Sequence, residues 1–389
     1  MVAAALGACA DPATHPPARD TADADIAPVD EPDATPPAPR FPDPEWPTAT
    51  PAEVGLDEAA LDEAAAYADS IGSSCLVVVR DGQLVYERYF GDTTADSVQK
   101  SWSIAKSFTS ALVGIAIDRG EIESVDQPAA DFIPSWRGTD KEAITIAHLL
   151  SMDSGLKYDL VTDNTWVMFT NDHTAEAIGY DAPDPPGVVW HYNSHGVQVL
   201  DAVLEAATGM DPEDYARAHL WSRIGMDERT HWDRDGAGNA TLYMSVFATC
   251  RDLARFGYLY LNEGNWNGEQ IVSREWVAAS LSPSQALNPI YGYLWWLNGG
   301  EPAKGSTDEM FDGTMFNFAP DDLFSAQGLG QSFIDVVPGT STMYIHVRRA
   351  PHDPFTKFLT DPAGTMDALL HDGLRAEHKL LLRALLDAG

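Results

Sequence analysis

At 389 residues the chain exceeds what one hydrophobic core usually serves, so a main domain with a second lobe is expected. Hydrophobic residues at 44% and aromatics at 10% are ample for a packed interior, which excludes a wholly disordered chain. The formal net charge is −35; residues 1–50 hold nine acids and two bases, so −28 remains for the rest, and such a surface disfavours nucleic acid and anionic membranes. Solubility or adaptation to salt explains that acidity more simply than selection of cationic or neutral substrates does.

Residues 1–10 read as the end of a secretion signal, and Leu6-Gly7-Ala8-Cys9 resembles a bacterial lipobox. Cys9 would then be lipidated and attach an exported, periplasmic or cell-surface protein to a membrane. Residues 11–50, rich in Pro, Ala, Asp and Thr, cannot build a core and read as a disordered tether, which leaves residues 51–389 as the folded domain. Leu56 to Ala68 reads as a helix. Cys75–Arg80 and Leu84–Phe90 read as strands joined by the hairpin signal Asp81-Gly82.

Apolar Ile104, Phe108, Leu112, Ile115 and Ala116 recur at helical spacing, which predicts a mostly buried helix over Ser103–Asp118. Ser103 and Lys106 are three apart and therefore share a face of its first turn. A serine hydroxyl needs an adjacent base to attack a carbonyl, and lysine serves only if burial brings its pKa toward neutrality. Ser-x-x-Lys alone is a weak signal: Ser97-Val98-Gln99-Lys100 repeats it in a polar stretch with no apolar face behind it.

Further on, Ile144-Thr145-Ile146 leads into a short helix closed by Gly155, and residues 157–190 are irregular. Val197–Ala207 and Arg251–Leu261 read as helices, Tyr291–Trp296 as an aromatic strand, Ser332–Val337 and Thr342–Arg348 as strands, and Met366–Leu386 as an amphipathic helix. Strands thus come first and last, which predicts an α+β fold: an antiparallel sheet built from both chain ends, flanked by helices, with an inserted helical lobe and the site at their boundary. Of the three cysteines, Cys75 and Cys250 read as buried thiols, although a bridge between them is open.

The order of motifs carries more than any one of them. Ser103-Ile104-Ala105-Lys106 is followed by Leu149–Leu156, Tyr192-Asn193-Ser194, Arg251–Gly257, Tyr291–Trp296 and Gly328-Leu329-Gly330-Gln331-Ser332. Residues 52–389 resemble the serine β-lactamase-related superfamily, which includes class C β-lactamases, D,D-peptidases, family VIII carboxylesterases and 6-aminohexanoate-dimer hydrolases. The resemblance implies a β-lactamase/transpeptidase-like fold and a serine hydrolase acting on a small ester or amide through an acyl-enzyme, with no cofactor and no metal. Ser103 would be the nucleophile, Lys106 its proton acceptor, and Tyr192 the proton donor to the leaving group, its pKa lowered by the cation. Ser194 fills the third position of the tyrosine motif.

The Lys-Thr-Gly motif of the penicillin-recognising members is replaced by Leu329-Gly330-Gln331, so the expected oxyanion hole pairs the Ser103 N–H with that of Gln331 or Ser332. Lys304-Gly305-Ser306 imitates the motif in a polar loop with no strand after it. Trp102, Trp166, Trp190, His191 and Trp295 are candidates to line the pocket. His191 and His195 bracket Tyr192 and read as pocket or cap residues rather than zinc ligands. Gly-x-Ser-x-Gly does not occur, which argues against an α/β-hydrolase. Two alternatives to an esterase or amidase stay open: a β-lactamase or D,D-peptidase, and a binding protein that keeps the fold without turnover.

Overall fold

The computed structural model describes residues 39–159, 163, 170–300, 303–305, 310–311, 316 and 319–349. Trp166 and the helix expected over Met366–Leu386 lie outside them.

The frame is a six-stranded antiparallel sheet of β1 (Ser73–Arg80), β2 (Gln83–Tyr89), β3 (Trp296–Leu297), β4 (Phe324–Gly328), β5 (Ser332–Val337) and β6 (Thr342–Arg348), in the order β2-β1-β6-β5-β4-β3. The first and last strands by sequence meet at its centre, where Val77 lies opposite Ile345. β5 is buried at every position, so both of its faces are covered, as its unbroken run Ser-Phe-Ile-Asp-Val-Val suggests. Asp335 is tolerated there because its carboxylate accepts from the Ser325 and Tyr344 hydroxyls.

Eight α-helices are described: α1 (Glu58–Ser70), α2 (Ile104–Asp118), α3 (Ile146–Leu150), α4 (His173–Gly179), α5 (Ser194–Thr208), α6 (Pro212–Ala216), α7 (Cys250–Leu261) and α8 (Arg274–Ser280). α2 is the buried axis: every residue from Ile104 to Ala116 is buried, and Phe108 stacks on Phe256 of α7 at 3.7 Å. α7 lies close on the sheet because Gly257 has no side chain; a Cβ there would stand 2.7 Å from Ile334. A small sheet of Gln99–Lys100, Val246–Ala248 and His231–Trp232 leads directly into α2.

Four expectations are corrected. Residues 39–50, expected as tether, pack on the body: Trp46 is buried, Phe41 packs on Tyr258 and Trp266, and Thr48 bridges to Leu84. Cys75 and Cys250 form a disulfide, because α7 starts against the beginning of β1 with the two Cα atoms 6.6 Å apart. Tyr291–Trp296 is a tight turn rather than a strand: Leu294 has φ 61°, Tyr291 bridges back to Trp296, and β3 begins only at Trp296. Ala303–Lys304 is a short strand paired with Met310–Phe311, not part of a loop.

Candidate active site

Ser103 is the N-cap of α2, and the chain turns sharply to deliver it. Trp102 has φ 53°, a left-handed conformation that costs a bulky residue about 1–2 kcal/mol. The small sheet holds the turn: Ser101 N–H donates to Val246 O and Ser245 N–H to Trp102 O, each at 3.0 Å.

One helical turn on, Lys106 is 1% exposed. Its ammonium donates to Ser103 Oγ at 3.0 Å and to the Tyr243 carbonyl at 2.7 Å. It lies 4.8 Å from the centre of the Tyr192 ring. Burial pulls its pKa down to about 7, although the Asp163 carboxylate pushes the other way. A substantial fraction of Lys106 is therefore a neutral amine at neutral pH, with a lone pair for the Ser103 proton. Tyr192 departs from the expected depression. Burial raises its pKa well above 10, a hydrogen bond with Ser103 opposes this, and the Asp163 charge adds to it. Tyr192 is thus a phenol that can donate, and Lys106 is the group beside Ser103 that can accept a proton.

Three segments fix Tyr192. His191 N–H donates to Met152 O at 3.1 Å, and Asn193 caps α5 while its side-chain NH₂ donates to Leu156 O at 3.2 Å. The Tyr192 ring stacks on Trp296 at 5.4 Å and meets the edge of Tyr291. The Tyr291–Trp296 turn is anchored in its turn to α2, since the Ser107 hydroxyl donates to Leu294 O at 2.8 Å.

The third motif approaches Ser103 through the backbone at Gly328. Gly328, at the end of β4, lies against the turn that carries Ser103: a Cβ there would stand 2.4 Å from Ser101 O and 3.3 Å from Ser103 N. β3 pairs only with Phe324 and Ser325, so among the described residues no strand covers the β4 edge near Gly328. Gln331 and Ser332 also bond to β6, one through its carbonyl and the other through its hydroxyl. Gln331 O meets His346 Nδ1 at 2.6 Å, and Ser332 Oγ accepts from Arg348 N–H. The hairpin between β4 and β5 carries them one strand inward.

Of the pocket candidates, Trp102 is partly exposed beside Ser103. Trp190 packs edge-on against Tyr291 and Trp296, and His191 stacks on Tyr158 at 4.6 Å. Trp295 is fully buried among Phe256, Tyr260 and Phe324 and belongs to the core. Ser194 is the first residue of α5, and its N–H donates to Asp163 at 2.9 Å. The Lys304 ammonium donates to Trp190 O at 2.8 Å, which brings a cation to the segment that carries Tyr192.

Two contributors were not anticipated: Asp163 and the Tyr243 carbonyl. Any residue type can supply a carbonyl, and Asp163 sits in an aperiodic stretch, so neither left a pattern. A cavity of about 460 Å³ lies at the other end of α2, lined by Asp118, Arg119, His219 and Arg223. Fifteen helical residues place it about 20 Å from Ser103. Its arginines are paired with Glu121 and Glu269.

A serine and a buried lysine on the first turn of a central helix, set against the edge of an antiparallel sheet, are the arrangement of the serine β-lactamase and transpeptidase type. The chain belongs to the Beta-lactamase family, which residues 59–350 match. It is 26% identical over 257 residues to the 6-aminohexanoate-dimer hydrolase of Paenarthrobacter ureafaciens, a match spanning 59% of this chain and 65% of that protein. It is 27% identical over 267 residues to penicillin-binding protein 4 of Amycolatopsis lactamdurans, covering 58% and 69% respectively. The fold is also that of a class C β-lactamase from Rhodobacter sphaeroides, with a TM-score of 0.53 at 18% identity over 76% of this chain and 95% of that one.

Proposed function

We propose that the protein is a serine hydrolase that cleaves a small ester or amide through an acyl-enzyme on Ser103. The observation that carries this reading is the buried Lys106 amine, 3.0 Å from Ser103 Oγ and brought to a pKa of about 7. Neutral Lys106 takes the hydroxyl proton as Ser103 Oγ bonds to the substrate carbonyl carbon. The oxyanion faces the Ser103 N–H and the open edge of β4 at Gly328. Collapse expels the alcohol or amine, which takes its proton from Tyr192, and Tyr192 recovers one from Lys106. Water then attacks the acyl carbon by the reverse relay, which releases the acid and frees Ser103.

The residues beside Ser103 support one substrate class. Ser325-Ala326-Gln327-Gly328 on β4 and Leu329-Gly330-Gln331 in the hairpin supply no cation, and this favours neutral esters or linear amides, in keeping with the named activity of the aminohexanoate-dimer relative. β-Lactam or D,D-peptide substrates are a second reading, favoured by the Lys304 ammonium beside Trp190. Export, with Cys9 lipidated, is part of the same proposal; the Cys75–Cys250 disulfide supports it, since such bridges persist in oxidising compartments.

Hydrolysis of a short-chain p-nitrophenyl ester by the full chain tests the reading. Ser103→Ala is expected to lower kcat/KM by at least about 10³-fold. In the wild type kcat/KM should rise with pH through about 7, as Lys106 loses its proton, and hold until Tyr192 ionises well above 10. Equal turnover by both proteins would sink the assignment of the nucleophile. A stable adduct on Ser103 without turnover would favour a binding protein, and faster turnover of a chromogenic cephalosporin would favour the second reading.

A further inference from the structure

Asp163 is a side chain that the acyl-enzyme steps do not use, yet it is buried directly behind them. It is 3% exposed and bound from three directions. Its carboxylate accepts the Ser194 N–H at 2.9 Å and the His195 N–H at 3.3 Å, the first two amides of α5, and meets His195 Nδ1 at 2.7 Å. A carboxylate at a helix N-terminus with two amide donors is held both by hydrogen bonds and by the helix dipole. Tyr192 lies two residues before Ser194, so whatever fixes the start of α5 fixes the phenol.

We propose that Asp163 is the positioning residue of this site: it locks the Tyr192 turn onto α5 and is the buried negative charge against which Lys106 exchanges its proton. The reading rests on the acyl-enzyme proposal above and adds a residue to it.

The surroundings support the electrostatic half. Among the described residues, Asp163 is the carboxylate whose charge reaches Lys106, and it also acts on Tyr192, Tyr243 and Tyr180. Lys106 faces Ser103 on its own helix, Tyr192 at the start of α5, and Tyr243 from the segment before α7. Asp163 faces His195. The Tyr180 ring meets His195 edge-on at 4.3 Å, and Tyr180 itself is bonded to Glu176. Farther back His173, near His195, meets the Tyr243 hydroxyl and has Asp235 on its N–H. His195 is 3% exposed, and its Nε2 has no partner among the described residues, so Asp163 is its one polar anchor through the ring.

The sign of the effect is fixed. A negative charge favours the protonated forms of Lys106 and Tyr192. Its removal must lower both ionisations together, whereas loss of a merely structural contact would reduce kcat and leave the pH limbs in place.

The experiment is the pH profile of kcat/KM for p-nitrophenyl ester hydrolysis by the wild type, Asp163→Asn and Asp163→Glu. Asp163→Asn is expected to move the acid limb down by roughly half a pH unit or more and to lower kcat about tenfold or more. Asp163→Glu is expected to return the limb to the wild-type pH, because it keeps the charge. Limbs that stay in place in Asp163→Asn would overturn the proposal, as would a limb displaced equally in Asp163→Glu. Should Asp163→Asn fail to fold, Asp163→Ser, whose hydroxyl can still accept from the α5 amides, gives the same readout. If neither neutral variant folds, the carboxylate serves the fold rather than the site and the proposal fails. Absence of Ser103-dependent turnover in the wild type would instead sink the function proposed above, so the two failures are distinct.

Discussion

Among the described residues two cations are buried, Lys106 on α2 and Arg255 on α7, at 1% and 7% exposure, and their surroundings differ in kind. Arg255 is compensated: it donates to Ile224 O and Pro44 O and stands 3.6 Å from the Asp252 carboxylate. Among the described residues Lys106 has a hydroxyl and a carbonyl in bonding range, and the carboxylate that acts on it, Asp163, is bonded to the start of α5. Burial lowers the pKa of both, but a guanidinium starts so high that it stays charged, whereas the amine comes within reach of neutrality. One helix uses a buried cation to tie the scaffold together, and the other keeps one at a cost that the proposed acyl-enzyme chemistry would explain.

That contrast is broken most sharply by removing each cation. Lys106→Met should abolish ester turnover, by at least about 10³-fold, while leaving the fold as stable or more so. Lys106 titrates near 7 in the fold against about 10.4 unfolded, so the unfolded chain binds more protons between those values. The fold is therefore disfavoured below about pH 10 by this group, on the order of 4 kcal/mol at neutral pH, and this cost falls as pH rises through the window. The substitution removes that cost and gives up two hydrogen bonds, so a gain of about 1–3 kcal/mol in chemical denaturation is expected. Arg255→Met should do the reverse. It leaves Asp252 buried without its partner and should cost about 3–5 kcal/mol, with kcat unchanged at temperatures where the variant is folded.

The disulfide belongs with α7, since it ties the first residue of that helix to the third residue of β1 across 175 residues. Cys75→Ala with Cys250→Ala is expected to lower stability by about 2–4 kcal/mol, read as a fall in Tm, and to leave kcat/KM within about twofold of wild type. A loss of activity at a temperature where the double variant is folded would mean that α7 reaches the site after all.

How much of this was legible in the sequence divides along the same line. The strands at both chain ends, the buried α2 and the Ser103–Lys106 spacing follow from periodicity, because each depends on side chains recurring at regular intervals. The resemblance joined Tyr192 to them. The bridge between Cys75 and Cys250 is a fact of tertiary approach, invisible at that separation. Residues 39–50 were misjudged because Pro-rich composition masks single anchors such as Trp46 and Phe41. Tyr291–Trp296 was misread because aromatic residues suit strands and tight aromatic walls equally. The third motif was legible only as a stretch, because its part rests on backbone at a strand edge, where the order of side chains does not say which amide faces Ser103.

Gly328 gives the finest test of that last point. A Cβ at this position would meet Ser101 O at 2.4 Å and Trp102 Cβ at 3.0 Å, so Gly328→Ala must push β4 away from the turn that presents Ser103. A misplacement of this kind should cost about 10–100-fold in kcat, since oxyanion donors act only when held close to the developing charge. Gly330, two residues on, is the control. Its φ of +74° strains any replacement, but a Cβ there would meet only Arg348 Cδ at 4.0 Å. Gly330→Ala is expected to cost about 1 kcal/mol of stability and to leave kcat alone. If the two variants lose kcat alike, the whole hairpin serves the oxyanion and Gln331 or Ser332 returns as a donor. If only Gly328→Ala does, the edge of β4 is the second half of the oxyanion hole.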